Sequence, residues 1–273
     1  MPSSARVGPW LFFVLVYGWT WLFWLLAAAM QVSAQSAAGR ALVIAGLLGP
    51  MLGGIGFTYA ARDPALRRDY WTRIVDVRRI PLRWGAAIVL IAPLVMAVAA
   101  LLAVASGDDA VAAGIAARTA PFAAAPLALG PFLLHVLIYG PVPEELGWRG
   151  YALDRLQARF GALSASLVLG AVWAAWHLPL FFIRDMNPHA SEGAGSPWFW
   201  LFMAQVVAIS VVYSVMFNNT RRSTLAAILL HVMTNIAAGL GNVTATTNLY
   251  ATLLWVAAAA ILAPRLARSA GTR

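Results

Sequence analysis

Eight long runs of apolar residues follow one another along this chain of 273 residues, and short polar segments separate them. About 20 apolar residues are enough for one helix to cross the hydrocarbon core of a bilayer. In that core only helices and closed barrels satisfy all their backbone hydrogen bonds, and runs of this length favour helices. The sequence therefore predicts one all-α domain over residues 1–273, a membrane bundle of about eight helices.

The composition excludes the main classes of soluble protein. Apolar residues make up 62% of the chain and charged residues only 11%, whereas soluble domains average about 45–50% and about 25%. A soluble protein of this size needs more polar surface to cover its core. The chain has no cysteine, which also excludes a disulfide-rich scaffold.

We place the span boundaries where polar residues interrupt the apolar runs. The first run is longer than the apolar region of a signal peptide, so we expect it to remain as a helix. The segment Arg62–Arg83 mixes seven arginines with apolar residues, which fits either a helix at the membrane interface or an exposed loop. The predicted spans are Pro9–Met30, Ala41–Ala61, Trp84–Ala105, Phe122–Tyr139, Ala162–Phe182, Trp198–Phe217, Thr224–Leu240 and Leu249–Leu266.

Arginine supplies all of the basic charge and is unevenly distributed. Sixteen of the 19 basic residues lie in the amino terminus, after spans 2, 4 and 6, or in the carboxyl tail, and three lie after the other spans. Because cytoplasmic loops carry an excess of Arg, both termini are predicted to be cytoplasmic. The net charge of +9 is thus a topology signal, and nucleic acid is not an expected partner.

Two of the three glutamates in the chain are adjacent to each other. Glu144 and Glu145 follow a break in the fourth apolar run at Gly140, Pro141 and Pro143. A charged carboxylate at the centre of a bilayer costs about 2.5–3.5 kcal/mol or more, so a pair at that depth indicates a function. The alternative is that the break ends the span and both carboxylates lie in interfacial water.

Helix geometry places a histidine at the level of these carboxylates. The turn between the Glu-bearing helix and the fifth span falls near Phe160–Gly161, and Glu144 and His177 are each about 16 residues from it, or about 24 Å along a helix. An antiparallel hairpin brings them side by side. A lone histidine in a span is usually a packed, hydrogen-bonded group, but two carboxylates at its level favour a functional site.

A second polar pair lies on the seventh span. His231 and Asn235 are four residues apart and share one helix face. They either join two helices by hydrogen bonds or belong to the same polar cavity. Glu145 and Arg149 are also four apart, which predicts an ion pair that holds one of the two carboxylates in place. His135, before the prolines, is expected to be a core histidine.

Three motifs, in this order, resemble those of the CPBP family of intramembrane proteases, which includes the type II CAAX prenyl endopeptidases and the bacterial proteins once called Abi. The match covers about residues 120–240, which we take as the catalytic core. Trp173 stands where the family usually has Phe, and we expect it to have an orienting role. The motifs are Glu144-Glu145-Leu146-Gly147-Trp148-Arg149, Trp173-Ala174-Ala175-Trp176-His177 and His231-Val232-Met233-Thr234-Asn235.

The resemblance implies a multi-pass protein of a bacterial plasma membrane with a cavity that opens to the cytoplasm. It implies cleavage of a membrane-associated protein or peptide near its carboxyl terminus. By that resemblance Glu144, beside Glu145, would activate the attacking water and His177 would help to hold it. His231 and Asn235 would donate hydrogen bonds to the oxyanion. Amide hydrolysis requires such a base and such donors.

Two alternatives stay open at this point. His177, His231 and either Glu144 or Glu145 also make a set that suits a catalytic Zn²⁺ with an open position, although the sequence has no His-Glu-x2-His helix. A non-catalytic membrane scaffold or bacteriocin-immunity-type partner would keep the same motifs as a buried polar network. We favour the peptidase, with water activated without a metal.

Overall fold

The computed structural model describes residues 9–186 and 189–268. Within these two ranges the chain is helical, with turns between helices and no strand. Eight of its helical segments are long and apolar enough to cross a membrane. These findings confirm the predicted all-α membrane bundle.

Fourteen α-helices, numbered in chain order, make up most of the described ranges. A π-helical turn at Trp148–Ala152 joins α8 to α9, and a 3-10 turn at Leu178–Phe182 follows α10. The helices are α1 Pro9–Ala29, α2 Ala37–Leu47, α3 Gly49–Ala60, α4 Pro64–Val75, α5 Leu82–Ala105, α6 Ala110–Ala124, α7 Leu129–Ile138, α8 Pro141–Gly147, α9 Leu153–Phe160, α10 Ala162–Trp176, α11 His189–Glu192, α12 Pro197–Asn219, α13 Thr224–Gly241 and α14 Ala245–Arg268.

Three of the eight spans are broken helices. The second consists of α2 and α3, the fourth contains α7, α8 and α9, and the fifth is α10 with its 3-10 turn. Each of these three spans has a proline beside its break: Pro50 in the second, Pro141 in the fourth and Pro179 in the fifth. Proline causes such breaks because it lacks the amide N–H and its ring clashes with the preceding turn.

The boundary predicted for the fourth span is wrong. We expected one helix over Phe122–Tyr139, but Phe122 belongs to α6, a separate helix that is shorter than a span. The interruption lies at Ala125, which has a φ of −139° and precedes Pro126. A residue before proline is disfavoured in the α conformation, and α6 therefore ends there.

The bundle has two ends, which we name by their loops. The arginine-rich end holds residues 61–81, the turn at 161 and the turn at 220–223, while the opposite end holds residues 30–36, 106–109, 183–186, 189–196 and 242–244. Hydrogen bonds join loops within each end. At the opposite end, for example, the amide of Ala34 donates to the carbonyl of Arg184 over 2.8 Å.

Helix α4 covers the arginine-rich end. The segment that we expected to be an interfacial helix or an exposed loop forms this helix, and its Tyr70 and Arg73 are buried. The Tyr70 hydroxyl donates to the Leu146 carbonyl over 3.1 Å, and a nitrogen of the Arg73 guanidinium donates to the Gly150 carbonyl over 2.8 Å. These bonds dock α4 onto the chain around the π-helical turn.

An ion cluster strengthens this closure. Arg73 and Arg222 both contact Asp154, over 2.8 and 2.5 Å, and both contact Asp69, over 3.1 and 3.4 Å. The hydrogen bonds that Asp154 accepts raise the pKa of Arg222, whereas burial lowers the pKa of Arg73. The cluster joins α4, α9 and the turn before α13 at the arginine-rich end.

Helix α12 is the most buried span and packs between α10 and α14. Helix α8 packs against α3, where glycines allow the backbones to approach. A Cβ atom on Gly54 would lie 2.5 Å from the Leu146 carbonyl oxygen, and one on Gly147 would lie 2.4 Å from the Pro50 carbonyl oxygen. Small residues permit such close packing between membrane helices, and here they fix the position of α8.

Replacing Gly54 with Ala is expected to lower the midpoint of thermal unfolding in detergent. The added methyl group would overlap the Leu146 carbonyl and force α3 away from α8, at a cost of about 1–3 kcal/mol for an overpacked contact. Gly56→Ala is the matched control, because a Cβ there meets no atom within 4 Å. Equal midpoints for the two variants would contradict this account of the packing.

Candidate active site

A cluster of polar side chains lies inside the bundle where α8, the π-helical turn, α10 and α13 meet. Glu144 is 5% exposed, and Glu145 and Arg149 are 0% exposed. Trp173 and His231 are also buried. The Glu pair is therefore buried among the helices and does not lie in interfacial water.

The break before α8 gives the cluster its backbone. Gly140 has a φ of +136°, a conformation that residues with a side chain rarely adopt. Pro141 and Pro143 lie in the first turn of α8, where a missing N–H costs little. The π-helical turn that carries Arg149 follows α8, and such turns are frequent at functional sites.

Arg149 is held on several sides. One guanidinium nitrogen contacts Glu145 Oε1 over 3.0 Å, and another donates to the Ser210 hydroxyl over 3.2 Å. The guanidinium carbon lies 4.6 Å from the centroid of the Trp173 ring and 4.9 Å from that of Tyr213. The ion pair predicted from the spacing is thus present, and both of its charges are fully buried.

His231 binds the same carboxylate oxygen. Its Nδ1 lies 2.9 Å from Glu145 Oε1. Because Glu145 accepts this hydrogen bond when it is ionised, Nδ1 carries the proton and the ring is fixed in one orientation. The other ring nitrogen, Nε2, then faces Gly140 and Glu144.

Three functional atoms surround one small space beside Gly140. A Cβ atom built on Gly140 would lie 3.3 Å from Glu144 Oε1, 3.4 Å from Asn235 Nδ2 and 3.9 Å from His231 Nε2. Glycine leaves that point empty. The other oxygen of Glu144 accepts a hydrogen bond of 2.5 Å from Trp173 Nε1, which fixes the direction of the carboxylate.

His177 lies one turn beyond Trp173, where α10 ends. Its Nδ1 is 2.8 Å from the Trp173 carbonyl oxygen, so this nitrogen donates and the ring is oriented. The ring packs against Trp176 and Phe202 and lines the same cavity as His231 and Asn235. The hydrogen bond from Trp173 to Glu144 joins α10 to α8. It lies one helical turn from His177, the residue that helix geometry placed at the level of Glu144.

A cavity of about 620 Å³ adjoins the cluster. Trp173, His177, Tyr213, His231 and Asn235 form its inner end. Most of the other lining residues belong to α5, α12, α13 and the segment from Asn242 into α14. Gly140, Glu144 and Glu145 are not among its lining residues, so the cavity meets the polar cluster on the side of Trp173, His231 and Asn235.

Three residues of the site were not predicted. Ser210 and Tyr213 contact Arg149 from α12, and Gly140 leaves the space between the functional atoms. Ser210 and Tyr213 could have been suspected from the sequence, because each is a polar residue inside an apolar span. His135 was predicted wrongly: it is exposed on α7, beside exposed Leu134, because α7 lies at the edge of the bundle.

The residues do not fit a catalytic zinc site. Among residues 9–186 and 189–268, no group of three or more His, Asp or Glu side chains is placed to hold a metal ion. Glu145 Oε1 binds both the Arg149 guanidinium and His231, and Glu144 Oε2 binds the Trp173 indole, while Glu145 Oε2 is buried without a hydrogen-bond partner. We therefore assign no chemical step to Zn²⁺.

The sequence of this chain is similar to sequences of known proteins. Residues 126–237, which contain all three motifs, match the family model described as type II CAAX prenyl endopeptidase Rce1-like. Over 267 residues the chain is 27% identical to CAAX prenyl protease 2 of Methanococcus maripaludis, and the match covers 96% of each chain. The resemblance expected from the motifs is confirmed. These matches support a membrane peptidase that is similar to the type II CAAX prenyl endopeptidases.

Proposed function

We propose that this chain hydrolyses a peptide bond in a membrane-associated protein by means of a water molecule that Glu144 activates. One observation carries the proposal: Glu144 Oε1, Asn235 Nδ2 and His231 Nε2 surround a single space beside Gly140. A base and two nitrogen donors around one point are what attack on a carbonyl group requires. We take residues 120–240 as the part of the chain that carries this chemistry.

The first step is attack by water on the substrate carbonyl carbon. Glu144 takes a proton from the water as the new C–O bond forms, and the Trp173 indole keeps the carboxylate aimed at the space beside Gly140. His177, oriented by its bond to the Trp173 carbonyl, holds the water from the cavity side. The carbonyl oxygen becomes an oxyanion in this step.

Asn235 and His231 stabilise that oxyanion. The Asn235 amide donates from Nδ2, and His231 in its doubly protonated form donates from Nε2 while Nδ1 stays bonded to Glu145. Arg149 holds the Glu145 carboxylate in place. When the oxyanion collapses, the C–N bond breaks and the leaving amine takes the proton that Glu144 holds.

Replacing Glu144 with Gln is expected to lower the rate of peptide cleavage by about 100-fold or more, because the base is lost while the shape is kept. The test is cleavage of a panel of prenylated and unprenylated peptides by purified protein in detergent. Asp109→Asn is the control, since it removes an exposed carboxylate outside the site. A folded Glu144→Gln variant with wild-type rates would overturn the mechanism and favour a non-catalytic role for the motifs.

Replacing Asn235 with Ala is expected to lower kcat by about 100- to 1000-fold with a small change in KM, which is the usual effect of removing one oxyanion donor. Asn219→Ala is the control: it removes the same kind of side chain from an exposed position at the end of α12 and should change neither kcat nor KM. A rise in KM at an unchanged kcat would instead assign Asn235 to substrate binding.

Removal of metal ions is expected to leave cleavage unchanged. Purified protein should contain no stoichiometric zinc by elemental analysis, and dialysis against 1,10-phenanthroline should keep the full rate. The reason is that no group of three His, Asp or Glu side chains among the described residues is placed to hold a metal ion. Loss of activity that added Zn²⁺ restores would show a metal-dependent reaction.

A further inference from the structure

The arginine-rich end carries more positive charge than its own carboxylates neutralise. Residues 61–83, 153–161 and 220–223 contain eleven arginines and four aspartates. Three of these aspartates form ion pairs with arginines, and Asp63 accepts hydrogen bonds from the first turn of α4. Within the described residues, four exposed arginines form neither an ion pair nor a side-chain hydrogen bond, namely Arg62, Arg68, Arg83 and Arg221.

Apolar side chains are exposed among these arginines. On α4, Arg68, Trp71 and Val75 are spaced by three and four residues, so they lie along one exposed face of the helix. Beyond α4, Val77 is 66% exposed and Leu82 is 91% exposed. The boundary between headgroups and hydrocarbon accommodates both kinds of side chain, because tryptophan is enriched there and arginine extends its charge toward the headgroups.

The chain path places this surface at the edge of the membrane. Helix α3 ends one span and α5 forms the next, so residues 61–81 connect two spans at one end of the bundle. The inner side of α4 is buried against the bundle through Tyr70 and Arg73. The face that carries Arg68 and Trp71 is exposed and therefore points away from the bundle, at the level where lipid headgroups lie.

We propose that this surface binds the headgroups of anionic phospholipids, and that the bound lipid holds α4 against the bundle. A negatively charged headgroup complements the arginines that no carboxylate neutralises, and each arginine near an anionic membrane surface strengthens binding by about fivefold. The acyl chains of the same lipid cover the exposed Trp71, Val77 and Leu82. A soluble acidic peptide would match the charge but would leave these apolar side chains in water.

The inner side of α4 connects this surface to the polar cluster. Tyr70 binds the carbonyl of Leu146, the residue directly after the Glu pair, and Arg73 binds the carbonyl of Gly150, the residue directly after Arg149. Displacement of α4 would break both hydrogen bonds and leave two carbonyls of the catalytic segment without their partners. A lipid that holds α4 in place therefore also supports the backbone that carries Arg149.

Lipid retention tests the proposal without the use of catalysis. The protein is reconstituted in nanodiscs of equal parts phosphatidylcholine and phosphatidylglycerol, and the lipids that it retains in detergent are measured by native mass spectrometry. We expect the wild type to retain phosphatidylglycerol preferentially, and Arg68→Gln with Arg83→Gln to lower this preference by about fivefold or more. Arg40→Gln with Arg184→Gln is the control, because it removes two exposed arginines at the opposite end and should keep the preference. Equal preferences in the two double variants would overturn the proposal.

The wild type alone gives a second test that does not depend on whether a variant folds. In about 1 M salt, where the screening length falls to about 3 Å, the preference for phosphatidylglycerol should disappear, and a preference that persists would contradict binding through the arginines.

Thermal unfolding tests whether the lipid holds α4. The midpoint of the wild type should be higher in the mixed nanodiscs than in phosphatidylcholine alone, whereas the midpoint of Arg68→Gln with Arg83→Gln should be the same in both. A wild-type midpoint that does not depend on the lipid would overturn the proposed support of α4. Failure of the proposed chemistry is recognised separately, because retention and unfolding are measured without a substrate and should be unchanged in Glu144→Gln.

Discussion

The ion pair between Arg149 and Glu145 is the interaction on which the site depends. Both side chains are fully buried, and an isolated charge there would cost several kcal/mol. Arg149 also binds Ser210 and lies against two aromatic rings, and Glu145 also binds His231, so these contacts lower that cost. One pair thus links the π-helical turn to α8, α10, α12 and α13. Removing either partner would leave the other charge uncompensated.

A helix break places the polar side chains of the site at the centre of an apolar bundle. The break at Gly140 starts a new helix at the depth of the site, so its first turn presents Glu144 and Glu145 to the interior. Glycine contacts on α3 keep this short helix in place, and α4 covers the carbonyls that follow it. These contacts hold the working residues in place, and preorganised groups of this kind favour catalysis.

Much of the fold and part of the site could be predicted from the sequence. Long apolar runs define spans because the bilayer requires closed backbone hydrogen bonding, and all eight are present. The spacing of Glu145 and Arg149 predicted their ion pair because four residues make about one helical turn. Helix α6 was missed because its last residues run into the apolar segment that was predicted as the fourth span. His135 was misplaced because hydropathy does not distinguish a core-facing side from an outward-facing one.

The sequence by itself determined the class of the protein, the number of spans, the arginine asymmetry and the residue types that the chemistry uses. These are local properties, set by hydropathy, charge and helical spacing. Tertiary structure alone decided that Trp173 aims Glu144, that Gly140 leaves room between three functional atoms, and which residues line the cavity. The reason is physical: these features depend on how separate helices pack, and residues such as Glu145 and His231, 86 positions apart, meet only in the folded bundle.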